Sequence, residues 1–201
     1  MSKYKHIYLL LFILIFVACN SKSTFILEGH LPDNSYDGEW VYFLPVGIPP
    51  VELVDSTIIK NGTFTFTGKA KEKEIFVVRS RPRLRLKLQE ILVVKEPGKI
   101  LVTYDLVSKA TGTALNDTLQ SWKEKKEAFS MQSRILRGNY KKAPETEEEI
   151  IQNKLDSLRL VQQDYYYHFL KNNKENVVGE LTARFTKAFL TSEQKKELGI
   201  E

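Results

Sequence analysis

At 201 residues, with 42 % apolar and 27 % charged side chains, the chain has the composition of a folded protein with one large core or two smaller ones. Its formal net charge of +5 is too mild for a partner gripped through many phosphates, so no nucleic-acid partner is expected. A single cysteine, Cys19, excludes both a disulfide framework and a Cys-x-x-Cys redox pair within one chain.

Lys3 and Lys5 precede an uncharged apolar run, "IYLLLFILIFV", which ends at the small residue Ala18. That order predicts a secretory leader over residues 1–18. The apolar run is about half of the roughly 20 residues a spanning helix needs. The ending "FVAC" resembles the lipobox of bacterial lipoproteins, with Phe16 where Leu is usual. The resemblance implies that Cys19 is acylated after cleavage, palmitate being one chain expected there. Several acyl chains, at about 0.8 kcal/mol per buried methylene, would hold it firmly to a membrane. Residues 19–23 are then a lipidated tether, and loss of Lys3 and Lys5 lowers the formal charge from +5 to +3.

From Thr24 the pattern is that of strands. "FILEGHL" alternates Phe25, Leu27, Gly29 and Leu31 with Ile26, Glu28 and His30, and "EWVYFLPV" follows a turn-rich "PDNSYDG". In "VDSTIIKNGTFTFTG", Asn61-Gly62 predicts a two-residue type I′ hairpin that pairs Ile59 with Phe64 and Thr57 with Phe66 on one face. "EIFVVRS", "LRLKLQEILVVK" and "KILVTYDL" are the remaining predicted strands. About seven antiparallel strands over residues 24–107 predict a β-sandwich or curled barrel.

The period changes in residues 108–201, which predict a bundle of about three helices and an α+β class overall. Leu115, Leu119, Trp122 and Phe129 mark one helix, with Thr113 or a neighbour as its cap and a stop near Arg137-Gly138-Asn139. Pro144 and a capping box of Thr146 with Glu149 open a second helix, whose buried stripe is Ile151, Leu155, Leu158, Tyr165 and Phe169. Glu147–Glu149 suit the positive end of that helix and need no metal. Val178, Leu181, Phe185 and Phe189 mark a third helix, and "SEQKKELG" a final turn.

Chemistry-bearing patterns are scarce. His30 and His168 lie far apart without ligand-type neighbours, and Tyr165–Tyr167 point in different directions on a helix, so no metal, cofactor or catalytic residue is expected. The exception is "RSRPRLRLKL". If it is extended, Arg79, Arg81, Arg83, Arg85 and Lys87 project to one sheet face while Leu84, Leu86 and Leu88 point inward. Such a stripe is either a solvated edge, with Pro82 discouraging further pairing, or a binding face for an anionic lipid, an envelope glycan or an acidic partner.

Taken in order, "FILEGHLPD", "VDSTIIKNGTFTFTGKA", "LVVKEPGKILVTYD" and "ATGTALNDTLQSW" resemble a module of Gram-negative envelope lipoproteins. It is the N-terminal domain of unknown function that precedes a thioredoxin fold in thiol-disulfide oxidoreductases of the alkyl-hydroperoxide-reductase/thiol-specific-antioxidant type. The resemblance implies an envelope location, on the outer membrane in preference to the inner. It does not carry over the redox activity, because this chain reaches Glu201 without a Cys-x-x-Cys. The expectation is a non-catalytic accessory module engaging another envelope protein, a thioredoxin-fold enzyme being one such partner. Its contact surface is expected on the helical half or the Arg79–Lys87 stripe, and the alternative is an anionic lipid or glycan bound by that stripe.

Overall fold

A computed structural model describes residues 23–47, 51–81, 84–85 and 87–200. The leader, Cys19, most of the tether, Pro82, Arg83 and Leu86 lie outside the described residues. The chain divides into two compact units, the first closing at Asn116 and the second opening at Asp117.

In the first unit, eight strands are described: β1 (Thr24–His30), β2 (Trp40–Pro45), β3 (Asp55–Ile58), β4 (Thr63–Lys69), β5 (Glu74–Ser80), β6 (Ile91–Lys95), β7 (Gly98–Thr103) and β8 (Lys109–Thr111). They form two four-stranded sheets, ordered β4-β1-β7-β8 and β3-β2-β5-β6, a sandwich-like arrangement with no closed barrel. All pairings are antiparallel except β1 with β7. Alternation works as expected in β1, where Phe25, Leu27 and Gly29 are buried while Ile26 and His30 are exposed. Phe43 centres the core, with ring centroids 5.6 Å from Phe25, 5.4 Å from Phe66 and 4.5 Å from Phe76. Gly29, opposite Phe64 in the register, leaves the room that the Phe64 ring occupies; a Cβ there would lie 2.0 Å from it.

Two strand expectations need correction. The turn at Asn61-Gly62 is as expected, with φ of 52° and 64° and two backbone hydrogen bonds between Lys60 and Thr63. The strands it joins do not pair beyond that bridge: β3 goes to β2 and β4 to β1, in different sheets. Ile59 and Phe64 are both buried, but they are not cross-strand partners in a ladder. Burying the apolar faces of both strands favours this corner, because one flat hairpin would cover only one side of the core.

The second correction is at "LRLKLQE". Strand β5 stops at Ser80, and β6 starts only at Ile91. Between them the Arg81 carbonyl accepts from Leu84 N–H (2.9 Å), and the Leu84 carbonyl accepts from Lys87 (2.9 Å) and Leu88 (2.8 Å). This helical winding puts Leu84 and Leu88, four residues apart, on the same side. Leu88 is fully buried and Leu84 packs against the same core.

Four helices are described: α1 (Ala114–Tyr140), α2 (Glu145–Asn173), α3 (Val177–Thr186) and α4 (Ser192–Leu198). Within the second unit, Phe129 of α1, Tyr166 and Leu170 of α2, Leu190, and Leu198 of α4 form one core. The buried stripe of α2 is therefore Ile151, Gln162, Tyr166 and Leu170, shifted by one residue from the expected Tyr165 and Phe169 in its second half. In α3, Val178 and Leu181 are buried as expected and Phe185 is exposed. Pro144, with no side-chain cap bond, precedes α2, so Thr146 lies inside the first turn and makes no capping box. Asn176 caps α3 through Val178 and Gly179, and Thr191 with Gln194 forms a capping box on α4.

Candidate functional site

The arginine stripe is not one extended row. Arg79 sits on β5, and Arg81, Arg85 and Lys87 follow it in the wound segment; Arg83 is outside the described residues. Two of these cations share one carboxylate. Glu90 Oε1 lies 2.8 Å from Arg79 Nε and 2.9 Å from Arg85 Nε, and Glu90 Oε2 accepts from Arg79 Nη2 at 3.2 Å. Two acids on other strands of the unit are engaged with lysines: Glu28 pairs with Lys99 at 2.9 Å and Glu74 with Lys95 at 2.6 Å. Arg81 and Lys87 have no ion pair among the described residues.

Behind this trio, Ser80 and Tyr104 are buried, and neither hydroxyl closes an aligned hydrogen bond. Burial pushes the Tyr104 phenol up to about 12, and the Ser80 hydroxyl offsets part of that rise.

A second polar cluster joins "EPG" to "GTALND". The Glu96 carboxylate, buried at the β6–β7 turn, accepts from the N–H of Leu115 (2.8 Å) and of Asn116 (3.1 Å). It therefore caps α1 from outside the helix, the role expected of Thr113 or a neighbour. Thr113 Oγ1 instead accepts from Asn116 Nδ2 at 2.8 Å. Asn116 also brackets Val94, accepting from its N–H at 2.9 Å and donating to its carbonyl at 2.8 Å. Every group in this clamp has a partner, so its chemistry is that of a structural lock.

In the second unit the three tyrosines diverge. Tyr166 is buried with its ring 5.0 Å from Phe189; Tyr165 meets Phe129 at 5.7 Å; Tyr167 Oη donates to Glu197 at 2.7 Å. They make no stacking platform. His168 is exposed, 3.4 Å from Asp164 one turn away. Lys123 is pushed down to about 8 by burial. Among the described residues, no group of three or more His, Cys, Asp or Glu could hold a metal ion, and no helix is long and apolar enough to cross a membrane. Large apolar side chains are nonetheless exposed on α1 and α2: Met131, Ile135, Ile150, Leu160 and Val161.

The span of the first unit, from β1 through the clamp to the opening of α1, coincides with a known family. Residues 25–119 match the family model described as Domain of unknown function (DUF4369). Neither the curated proteins nor the solved structures include a match to this chain. The matched residues take in both sides of the Glu96 clamp and end inside α1. The residues that organise this stretch, Glu90, Glu96 and Asn116, do not stand out in the sequence. "EPG" reads as a turn and "GTALND" as a helix entry, and nothing in their spacing says that they meet.

Proposed function

We propose that this protein is a non-catalytic lipoprotein of the bacterial envelope, an accessory module that binds another envelope protein. The observation that carries this reading is the exposure of Met131, Ile135, Ile150, Leu160 and Val161 on α1 and α2. Met131 and Ile135, four residues apart, share one face of α1, and exposed large apolar side chains of this kind are what a protein partner would cover. The lipobox resemblance supplies the membrane anchor at Cys19. The resemblance to the leading module of thiol-disulfide oxidoreductases supplies a partner class, a separately encoded thioredoxin-fold enzyme. The test is a mild-detergent pull-down of the lipidated chain from its native envelope, compared with a Met131→Glu, Ile135→Glu variant. A near-stoichiometric envelope protein that is lost with the variant supports the reading; recovery of the chain alone removes it.

A second reading, binding of an anionic lipid or envelope glycan, rests on Arg81 and Lys87, whose charges have no carboxylate partner among the described residues. Glu90 counts against it by occupying Arg79 and Arg85. Under this reading Arg81→Glu with Lys87→Glu abolishes flotation with phosphatidylglycerol vesicles and leaves the protein complex intact.

A further inference from the structure

The corner at Asn61-Gly62 leaves two strand edges open, and backbone parity shows which groups they present. Thr63 turns both its N–H and its carbonyl toward Lys60, away from β1. Along a strand alternate residues face the same way, so Thr65, Thr67 and Lys69 aim their N–H and carbonyl groups in that direction too. Ala70, of the opposite parity, donates to Ser23 on the β1 side at 2.6 Å, as this requires. On β3, Ile59 bonds toward Gly38 and Glu39, which puts Ser56 and Ile58 on the open side. The Ser56 amide is already taken by the Asp55 carboxylate at 2.8 Å, which blunts that edge.

The β4 edge has no comparable protection. It is seven residues long, holds no proline, and carries a charge only at its last residue, Lys69. Between it and β3 lies a cleft of about 450 Å³ lined by Trp40, Ser56, Ile58, Lys60, Phe64 and Thr65, among others. Trp40 and Ile58, both half-buried, offer an apolar wall. Lys60 is the one charged residue lining the cleft, and it has no ion pair among the described residues.

We propose that this cleft takes an extended peptide segment of a partner protein, added as a strand along β4, with an acidic side chain of that segment meeting Lys60. Main-chain bonds to Thr65 and Thr67 would supply affinity, and the apolar wall with Lys60 would supply selectivity. The proposal does not depend on the exposed face of α1 and α2, and the two fail separately.

The probe is a phage-displayed library of random 12-residue peptides, panned against the full-length protein in detergent. Enriched peptides should alternate β-branched residues and carry Asp or Glu. Thr65→Pro with Thr67→Pro deletes two amides that face the open edge of β4 and keeps the β1 ladder, which uses Phe64, Phe66 and Gly68. This variant should weaken a synthetic enriched peptide at least tenfold, and Lys60→Glu should weaken it severalfold. Met131→Glu with Ile135→Glu should leave it unchanged. If the proline variant fails to fold, the same peptide N-methylated at alternate amides makes the comparison on unaltered protein. Absence of any enriched peptide overturns the proposal. So does equal binding by the proline variant, or by the N-methylated peptide.

Discussion

At the start of α1, one oxygen of the buried Glu96 carboxylate satisfies two amides. A carboxylate there also interacts favourably with the positive end of the helix. Glu96→Ala leaves both N–H groups buried without an acceptor, at about 1–3 kcal/mol each. The expected loss, read by urea denaturation, is about 2–6 kcal/mol, and Glu96→Gln, which keeps an acceptor, should lose less. Tyr104 gives a pH prediction. Its phenol is raised to about 12 in the fold, against about 10 in the unfolded chain. Its contribution is complete below about pH 10 and is lost as pH rises through about 12. The denaturation midpoint should therefore fall across that window, and less steeply for Tyr104→Phe. Tyr166, also raised to about 12 by burial, contributes the same sign in the helical unit. Neither Glu96 nor Tyr104 could be singled out beforehand. A glutamate before Pro-Gly reads as an ordinary turn residue until the fold brings Leu115 and Asn116 to it.

Among the elements, the Asn61-Gly62 turn shows how local and global signals divide. Its conformation was legible because two consecutive positive φ values demand residues such as these. Asp37 reinforces it from 24 and 25 positions away, accepting from the N–H of Asn61 (2.8 Å) and of Gly62 (2.9 Å). Gly62→Ala puts a Cβ 2.9 Å from Asn34 Oδ1 and 3.2 Å from the Asp33 carbonyl, at a φ of 64°. The left-handed conformation alone costs about 1–2 kcal/mol, so thermal unfolding of the variant should begin several degrees lower. What β3 and β4 do after the turn was not legible, since a hairpin signal says nothing about which sheet each strand joins. The 84–88 segment taught the same lesson in reverse. Leucine at every second position suited a strand, yet two hydrogen bonds to the Leu84 carbonyl bring Leu84 and Leu88 together one turn apart.

For the whole molecule, the shift from two-residue to helical periodicity separates strands from helices along the chain, and the structure follows it. The proposed envelope anchor is tested most directly at Cys19. The wild-type chain, expressed in a Gram-negative host, should incorporate labelled palmitate and fractionate with membranes. Cys19→Ser should lose the label entirely and move to the soluble fraction. Label retained by the variant, or absent from the wild type, removes the lipoprotein reading.

Periodicity, turn chemistry and composition were properties of neighbouring residues, and from them alone came the α+β class, the hairpin turn, the helices and the unfitness of a lone cysteine for dithiol chemistry. The tertiary structure decided everything that depends on residues far apart in the chain. It paired Arg79 and Arg85 with Glu90, moved the α1 cap from Thr113 to Glu96, and parted β3 from β4 to open the cleft. These outcomes turn on which buried polar group meets which partner, and on which edge is left without one. A chain settles such choices only when its sheets close over a shared core.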